Sequence, residues 1–481
     1  MTIDVLPDNA LLDIFDFYRD GRTTWIISFL PIPWRWQTLT QVCRRWRYIV
    51  LGSPRRLDLR IVCTDKTPTR TSLNIWPPFP IAVIKPFSLR KTLEEKNVEN
   101  LIAAMEHRNR ISEIHIDDIS SSELEKLASV MQEPFPTLRY FRLDTLMMIL
   151  GLPETFLGGS APFLRSLSIS KTRLPSFPKF ILSATHIAHL CLDDIPRDGY
   201  ILPSVMAACV AALPNLKHLV IAFQSRLSDL LQTSPPPLTR AVLPTLTSLD
   251  FRGNSEYFED FLAQIDAPLL KRLGIEFLMD IHTLSPRPHN FIDRTESLGQ
   301  FNHATMELSM PCIYMALRSS TLFKLDIECR RNIWPRFSSM AETFSLHLPL
   351  LHHVELLQIT GGPSSMAGRE CPYMSSSDWL ELFQLFIAVQ SLYVSENLVP
   401  FVAAALQELT GGMAVEVLPA LRILSLEGIQ PSGPVQDGIG SFVAARQLSD
   451  RPVAIQDWDL KARRKARVRR PLGDRGSARV E

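Results

Sequence analysis

Eleven histidines and seven cysteines are the side chains of this sequence best suited to metal binding or nucleophilic chemistry, and their spacing supports neither. His186 and His189 are three apart, but "HIAHLCLDD" at 186–194 alternates like a strand, which would turn their side chains to opposite faces. His347, His352 and His353 cluster without a partner pair that would complete a chelate. Cys43, Cys63, Cys191, Cys209, Cys312, Cys329 and Cys371 are scattered, with no C-x-x-C pair and no dense disulfide framework. Cys43 reads as a small packed residue rather than a nucleophile. Asp117/Asp118 and Asp193/Asp194 follow strand-like phrases and read as solvated turn residues or helix caps. Motifs of the G-x-S-x-G, G-x-x-x-x-G-K-[ST], H-E-x-x-H and G-x-G-x-x-G kinds do not occur. The expectation is a chain with no catalytic residue, no metal and no cofactor.

A second kind of chemistry, polyanion binding, is raised by "VCRRWRYIVLGSPRRLDLRI" at 42–61, where arginines interleave with Trp46 and Tyr48. The charge distribution argues against it. Residues 461–481 carry nine Lys/Arg and two Asp/Glu, so the other 460 residues hold 42 basic and 48 acidic groups, a net of −6. A nucleic-acid partner is therefore not expected of the body of the chain. The run "KARRKARVRRPLGDRGSARV" at 461–480 resembles a nuclear localisation signal or an electrostatic arm, and reads equally as a flexible solubilising tail. The start "MTIDVLPDNALLDIF" lacks a signal peptide's basic end and apolar run, and stretches such as "WIISFLPIPW" at 25–34 are too short and proline-rich to span a bilayer. No membrane contact is expected, and a cytoplasmic or nuclear setting fits best.

The elements that would position any site come from one returning phrase, Pro-x-Leu-x-x-Leu-x-Leu. It reads "RISEIHID" at 110–117, "PTLRYFRLD" at 136–144, "PFLRSLSIS" at 162–170, "HIAHLCLDD" at 186–194, "PNLKHLVIA" at 214–222, "PTLTSLDFRGN" at 244–254 and "PLLKRLGIE" at 268–276. It resumes as "TLFKLDIEC" at 321–329, "PLLHHVELL" at 349–357, "VQSLYVSEN" at 389–397 and "PALRILSLEG" at 419–428. The first apolar positions, 111, 138, 164, 187, 216, 246 and 270, lie 23 to 30 residues apart. Within a phrase the apolar residues alternate with polar ones, the period of a strand buried on one face. Thus Leu167 and Ile169, Leu249 and Phe251, Leu325 and Ile327, and Leu424 and Leu426 share a face. One such strand cannot bury its apolar side alone, so strands must stack in parallel, with helix-compatible runs such as 205–216, 257–265 and 379–390 returning the chain. The proline before many phrases ends the preceding helix.

This pattern resembles the leucine-rich repeat family. The asparagine that usually follows the strand is mostly missing, Asn254 being the clearest instance, and the spacing widens to 52 residues between Leu270 and Leu322, an inserted loop or an unrecognised repeat. "SPPPLTR" at 234–240 and the stretch 360–379 read as surface loops. The side chains alternating with the core would face a partner. They include Tyr140, Arg142, Asp144, Ser168, His218, Asp250, Arg252, Arg272, Glu276, Lys324, Asp326, Glu328, His353 and Glu355. From these, Tyr140, Arg142, Asp250, Arg252, Arg272, Glu276, Lys324, Asp326 and Glu328 are the candidate target-binding residues. Their mixed signs favour a protein over a nucleic-acid backbone.

Residues 5–51 have a different grammar. Leu11, Ile14, Phe15 and Tyr18 fall on one face of a helix, and "WQTLTQVCRRWRYIVL" places Leu39, Val42 or Cys43, Trp46, Ile49 and Val50 on one face of another. On that reading Arg44, Arg45, Arg47 and Tyr48 take the flanks and the solvated side. In this order, "LPDNALLDIF" followed by "LTQVCRRWR" resembles the F-box, a small three-helix module, of fungal chains that carry leucine-rich repeats behind it. The segment near 19–35 is an insertion relative to the short F-box. The resemblance implies that Leu6, Pro7, Leu11, Ile14, Phe15, Val42, Cys43 and Trp46 bind the Skp adaptor or hold the module together. It further implies that the chain is the substrate-recognition subunit of an SCF-type (Skp–cullin–F-box) ubiquitin ligase, reaching cullin through the adaptor and holding an unknown protein substrate on the repeats. Patterning alone leaves another reading open, a protein-interaction scaffold whose head is merely a solenoid cap.

The expected organisation is therefore α/β. A helical F-box occupies 1–51, a linker with the first solenoid elements 52–110, a leucine-rich-repeat-like parallel β/α solenoid (a horseshoe) 111–430, and an extension with a basic tail from 461 the remainder, 431–481.

Overall fold

The computed structural model describes residues 5–20, 35–53, 59–65, 68–86, 94–149, 151–173, 177–225, 239–277, 291, 294–295, 301–309, 312–318, 322–328, 349–361, 375–409, 413–428 and 433–457. The insertion at 21–34 and the basic tail at 461–481 lie outside them. Contacts divide the chain into two units, residues 1–225 with 241–246, and residues 226–240 with 247–481.

The first unit opens with three helices, α1 (Asp8–Asp20), α2 (Arg35–Val42) and α3 (Arg44–Gly52). The single helix expected across 36–51 is in fact two. Cys43 is fully extended, with φ −157° and ψ 172°, and its Sγ accepts the Trp46 N–H at 3.4 Å as the cap of α3. Apolar periodicity runs through the break because Leu39 of α2 and Ile49 and Val50 of α3 all turn into one small core with Leu11 and Phe15.

Seven parallel strands follow in chain order: β1 (Leu59–Val62), β2 (Ile81–Lys85), β3 (Ile111–Ile119), β4 (Tyr140–Ile149), β5 (Ser166–Thr172), β6 (His189–Ile195) and β7 (His218–Phe223). Between them lie α4 (Thr69–Ile75), α5 (Glu94–Met105), α6 (Ser121–Val130), α7 (Phe177–Ser183) and α8 (Pro203–Ala211). Only a 3₁₀ turn, Phe156–Gly159, joins β4 to β5. The first apolar residue of each phrase, Ile111, Leu138, Leu164, Ile187 and Leu216, is at most 1% exposed. The next two, such as Phe141 and Leu143 or Leu219 and Ile221, are buried as well. Removing each such side chain from water contributes about 1.5–3 kcal/mol. α6 starts on a capping box in which Ser120 and Glu123 satisfy each other's backbone N–H groups.

Each strand needs a bend at its end to send the chain back, and the missing asparagine is replaced by left-handed backbone. Asp118 (φ 60°), Lys171 (φ 58°) and Asp194 (φ 50°) stand at equivalent positions, and the residue after each, Ile119, Thr172 and Ile195, turns back into the core. The carboxylate pairs Asp117/Asp118 and Asp193/Asp194 are these bends. The Lys85 ammonium, buried, donates to the carbonyls of Asp117 (3.2 Å) and Asp118 (2.8 Å) and so holds one of them.

In the second unit nine strands form one mixed sheet. They are β8 (Ser248–Gly253), β9 (Arg272–Phe277), β10 (His303–Ser309), β11 (Cys312–Arg318), β12 (Leu322–Glu328), β13 (Leu356–Gly361), β14 (Ser391–Val394), β15 (Ile423–Leu426) and β16 (Ala454–Asp457). Their order is β8–β9–β12–β11–β10–β13–β14–β15–β16, with β11 antiparallel to both neighbours and every other pair parallel. Within the wide gap after Leu270 the described residues include two strands beyond β9. β10 takes a repeat position, with Phe301, Ala304 and Met306 in the core and its register on β13, and β11 doubles back beside it.

The phrase at 349–357 is also three residues out of register. Val354, Leu357 and Ile359 are the core residues, and 349–353 is a 3₁₀ turn. His353 and Glu355 consequently lie ahead of β13, and Gln358 takes the face position between the two core residues. Helices among the described residues include α9 (Ser255–Gln264), α10 (Ser376–Gln384), α11 (Val399–Gln407), α12 (Met413–Glu416) and α13 (Pro434–Leu448). α10 begins inside the stretch read as a loop, because Ser375 and Asp378 form a capping box. The repeat grammar continues past residue 430, with α13 leading into β16. The buried Arg446 guanidinium donates to the carbonyls of Ala414, Leu418, Pro419 and Leu421, and binds α13 to the preceding turn.

The molecule is therefore α/β: a three-helix head followed by leucine-rich-repeat-like β/α repeats.

Candidate functional site

Two surfaces gather the residues that could act. On the head, the residues named from the sequence separate into two groups. Leu11 and Phe15 are buried with Leu39, Ile49 and Val50, and Leu6 and Trp46 pack against that core from half-buried positions. The Phe15 and Trp46 rings meet at 4.7 Å between centroids, tilted by 58°. Cys43 caps α3, and Pro7 leads into α1, its carbonyl accepting the Leu11 N–H. Ile14 and Val42 point outward instead, 43% and 58% exposed, as do Val5 and Tyr48 at 71% and 80%.

The arginines that drew attention in the sequence are largely occupied internally. Arg45 Nη2 donates to Asp8 Oδ1 at 2.7 Å and to the Leu6 carbonyl at 2.5 Å, and Arg47 Nε donates to the Thr40 carbonyl at 2.9 Å. These bonds tie α3 to the start of α1 and to α2.

The second surface is the sheet face opposite the buried rows. In the first unit, register aligns Glu113, Tyr140, Ser166, His189 and His218 in one row across β3 to β7. His115, Arg142, Ser168, Cys191 and Val220 form the next. Tyr140 is 38% exposed, and Arg142 Nε pairs with Asp117 Oδ1 at 3.1 Å. The His189 and His218 rings stack at 4.7 Å between centroids, 9° from parallel. Burial, then the neighbouring His218 and Lys217, lower the His189 pKa from the ordinary imidazole value. Glu113 is held below the ordinary carboxylate value chiefly by its hydrogen bond from His115, at 3.4 Å. His186 sits in the turn ahead of β6, not in the strand, and stacks on Phe163.

The second unit brings together a different set. Arg272 pairs with Asp250 at 3.1 Å, and Arg252 and Glu276 are register partners on the same two strands. Gly274 is the residue that makes the first pair fit, since a Cβ there would stand 2.2 Å from Asp250 Oδ1. Register puts Lys324 beside Gly274, Asp326 beside Glu276 and Glu328 beside Cys312, while the side chains of those three β12 residues lie outside the described residues. The candidate target-binding residues thus fall into two sets, each coherent within its own unit.

One feature of this surface escaped the sequence reading although its signal is plain there. The phrase is more fully Pro-x-Leu-Arg/Lys, in 136–139, 162–165, 214–217, 268–271 and 419–422. Its basic residues, Arg139, Arg165, Lys217, Lys271 and Arg422, are exposed at the starts of strands.

Buried cysteines offer no nucleophile. Burial pushes the Cys63 thiol up to about 12 and raises that of Cys209 as well. Among the described residues no group of three or more His, Cys, Asp or Glu could hold a metal ion, and no helix is long and apolar enough to cross a membrane.

Comparison with known proteins adds little to this geometry. No family model matches the chain. No curated protein matches it either. Among solved structures, the leucine-rich repeat-containing protein LegL7 from Legionella pneumophila aligns over 83% of this chain and 99% of its own, at 12% identity and a TM-score of 0.30.

Proposed function

We propose that this chain is a non-catalytic recognition subunit, with the head an F-box that docks a Skp adaptor and the sheet faces holding a target protein. The observation that carries the proposal is the division of apolar residues on the head. Ile14, Val42 and Tyr48 stand in solvent on the head, where a docking surface for an apolar partner face would need them. Ile14 and Val42 belong to the positions that, by the F-box resemblance, bind the adaptor or hold the module together, and their exposure favours the first of these roles for them. Through the adaptor and cullin, a target on the sheet face would be kept near a ubiquitin-charged enzyme. The rate gain would come from raised effective concentration, with no reacting group in this chain.

The test is capture of the full chain by immobilised recombinant Skp adaptor, beside a control F-box protein. The expected result is capture of wild type and its loss in Ile14→Asp/Val42→Asp, with unchanged melting of the chain. Absence of capture while the control binds would sink the proposal, and so would undiminished capture of the double variant. In that event the scaffold reading, with the head as a cap, would take its place.

A further inference from the structure

We infer that the strand-start edge of the first unit's sheet is a docking strip for a short acidic segment of a protein partner, centred on Arg139, Arg165, His189 and His218. The inference rests on the reading of this face as the target-binding surface and gives the target a chemistry.

The two edges of the same sheet treat positive charge differently. Further along the strands the basic side chains described on the face are matched: Arg142 with Asp117 at 3.1 Å, Lys171 with Asp144 at 3.2 Å, and Arg173 with Asp198 at 3.9 Å. At the starts of β4 and β5 the matching stops. The backbone bonds from Arg165 N to Arg139 O (2.7 Å), Ala188 N to Arg165 O (2.8 Å) and Lys217 N to Ala188 O (2.8 Å) set these four residues in one lateral line. Neighbouring strands lie about 4.8 Å apart, so Arg139 and Arg165 stand side by side. Neither guanidinium has a hydrogen-bond or ion-pair partner among the described residues, and both are exposed. One residue further along, the stacked His189 and His218 rings and the exposed Tyr140 continue the line.

Like charges placed directly opposite each other on a sheet are destabilising. Glu113, at this end of β3, is engaged by His115 at 3.4 Å, so the two arginines held together on β4 and β5 are short of an anion, which a partner would supply.

The size of the strip limits what supplies it. From Tyr140 to Asp144 is four residues, about 13 Å along the strand, beyond which Asp117, Asp144 and Asp193 present negative charge. A broad polyanion would meet that acidic edge. One extended peptide lying across β4 to β7 would not, and at about 3.3 Å per residue it would cross the roughly 14 Å of the strip with four or five residues. Guanidinium–carboxylate pairs give such a segment its register.

The experiment measures binding of a fluorescein-labelled peptide of about five alternating Asp and Glu residues to the full chain, by fluorescence polarisation at physiological ionic strength. Wild type should bind. Arg139→Gln/Arg165→Gln should weaken binding about tenfold or more, whereas Arg139→Lys/Arg165→Lys should keep most of it. Lys171→Gln/Arg173→Gln removes the same charge more than a Debye length of about 8 Å away and should leave affinity within about twofold. Equal losses in the two Gln pairs, no binding by wild type, or equally tight and equally sensitive binding of an oligothymidylate of the same length would overturn the inference. Adaptor capture of the same variants separates the two proposals. A chain that is captured but ignores the peptide refutes the strip alone, and a chain that binds the peptide but is not captured refutes the F-box reading alone.

Discussion

The helical head and the sheet of the first unit solve the same problem in different ways. In the head five side chains, Leu11, Phe15, Leu39, Ile49 and Val50, form the buried cluster among the described residues, and they come from three helices with a long insertion between the first and the second. In the sheet, each repeat supplies the same three apolar positions and leans on the identical set of its neighbours, as Leu167 lies between Phe141 and Leu190 in register. The head leaves apolar side chains in solvent at Ile14, Val42 and Tyr48, whereas on strands β3 to β7 of the first unit Tyr140, at 38%, is the exposed large apolar residue among those described. A small core gains its stability from a few contacts between three helices, whereas a repeated core spreads it over many equivalent strands.

The largest expected effect tests that difference directly. Leu167→Ala should destabilise the first unit by about 2–5 kcal/mol, because a fully buried side chain between two ordered strands leaves a cavity that cannot collapse. Leu11→Ala should cost a similar amount locally and spend it only on the head. Amide hydrogen exchange followed by mass spectrometry would show α1 and α3 losing protection while β4 to β6 keep theirs. Loss of protection in β5 on truncating Leu11 would break the comparison, and would make head and sheet one cooperative core.

How much of this was legible beforehand follows from the same contrast. The repeats were readable because each phrase fixes three buried positions at constant spacing, so Ile111, Leu138, Leu164, Ile187, Leu216, Leu246 and Leu270 could be placed in the core from the sequence. The strand pair β10–β11 was not, since "HATMELSMPCIYMALR" lacks the Pro-x-Leu lead and an antiparallel return leaves no mark in a parallel register. In the head the apolar stripe was readable and the break at Cys43 was not. Sulfur is an unusual helix cap, and the stripe passes through it without a gap. The split between buried Phe15 and exposed Ile14 was also hidden, because adjacent residues on one helix diverge only once the neighbouring helices are in place. Charge was visible at Arg139 and Arg165, but which cations find a carboxylate depends on lateral register between strands some 25 residues apart, and sequence spacing does not carry that.

A smaller effect sharpens the account of the strand-end bends. A left-handed residue costs about 1–2 kcal/mol for an ordinary L side chain, less for Asp or Asn and nothing for glycine. Asp194 donates its N–H to Asp193 Oδ1 at 3.0 Å and holds φ 50°. Asp194→Val should therefore lower stability by about 1–2 kcal/mol, and Asp194→Gly should leave it equal or slightly higher. Chemical denaturation of the two variants decides the matter: equal destabilisation would mean that the carboxylate, not the backbone angle, matters at this bend.

The smallest expected effect concerns the stacked imidazoles, where the paired and unpaired edges differ most in their response to pH. His189 faces His218 and Lys217 from β7 and Ser166 and Arg165 from β5, the row's carboxylate, Glu113, lying three strands away on β3, and burial and the first two of these lower its pKa. A base whose folded pKa lies below its unfolded value of about 6.5 is neutral in both states at higher pH, and there it contributes nothing to pH dependence. As pH falls below that unfolded value toward the folded one, the unfolded chain takes up the proton first and the native state loses stability. An imidazole-detected NMR titration should place His189 below the ordinary value in wild type and move it upward, though not fully, in His218→Asn, because the facing charge is gone while burial stays. Binding the acidic peptide should move it upward again, since a carboxylate beside His189 favours the protonated ring. An unmoved His189 resonance at saturating peptide would place the ligand away from this end of the strip and restrict the contact to Arg139 and Arg165.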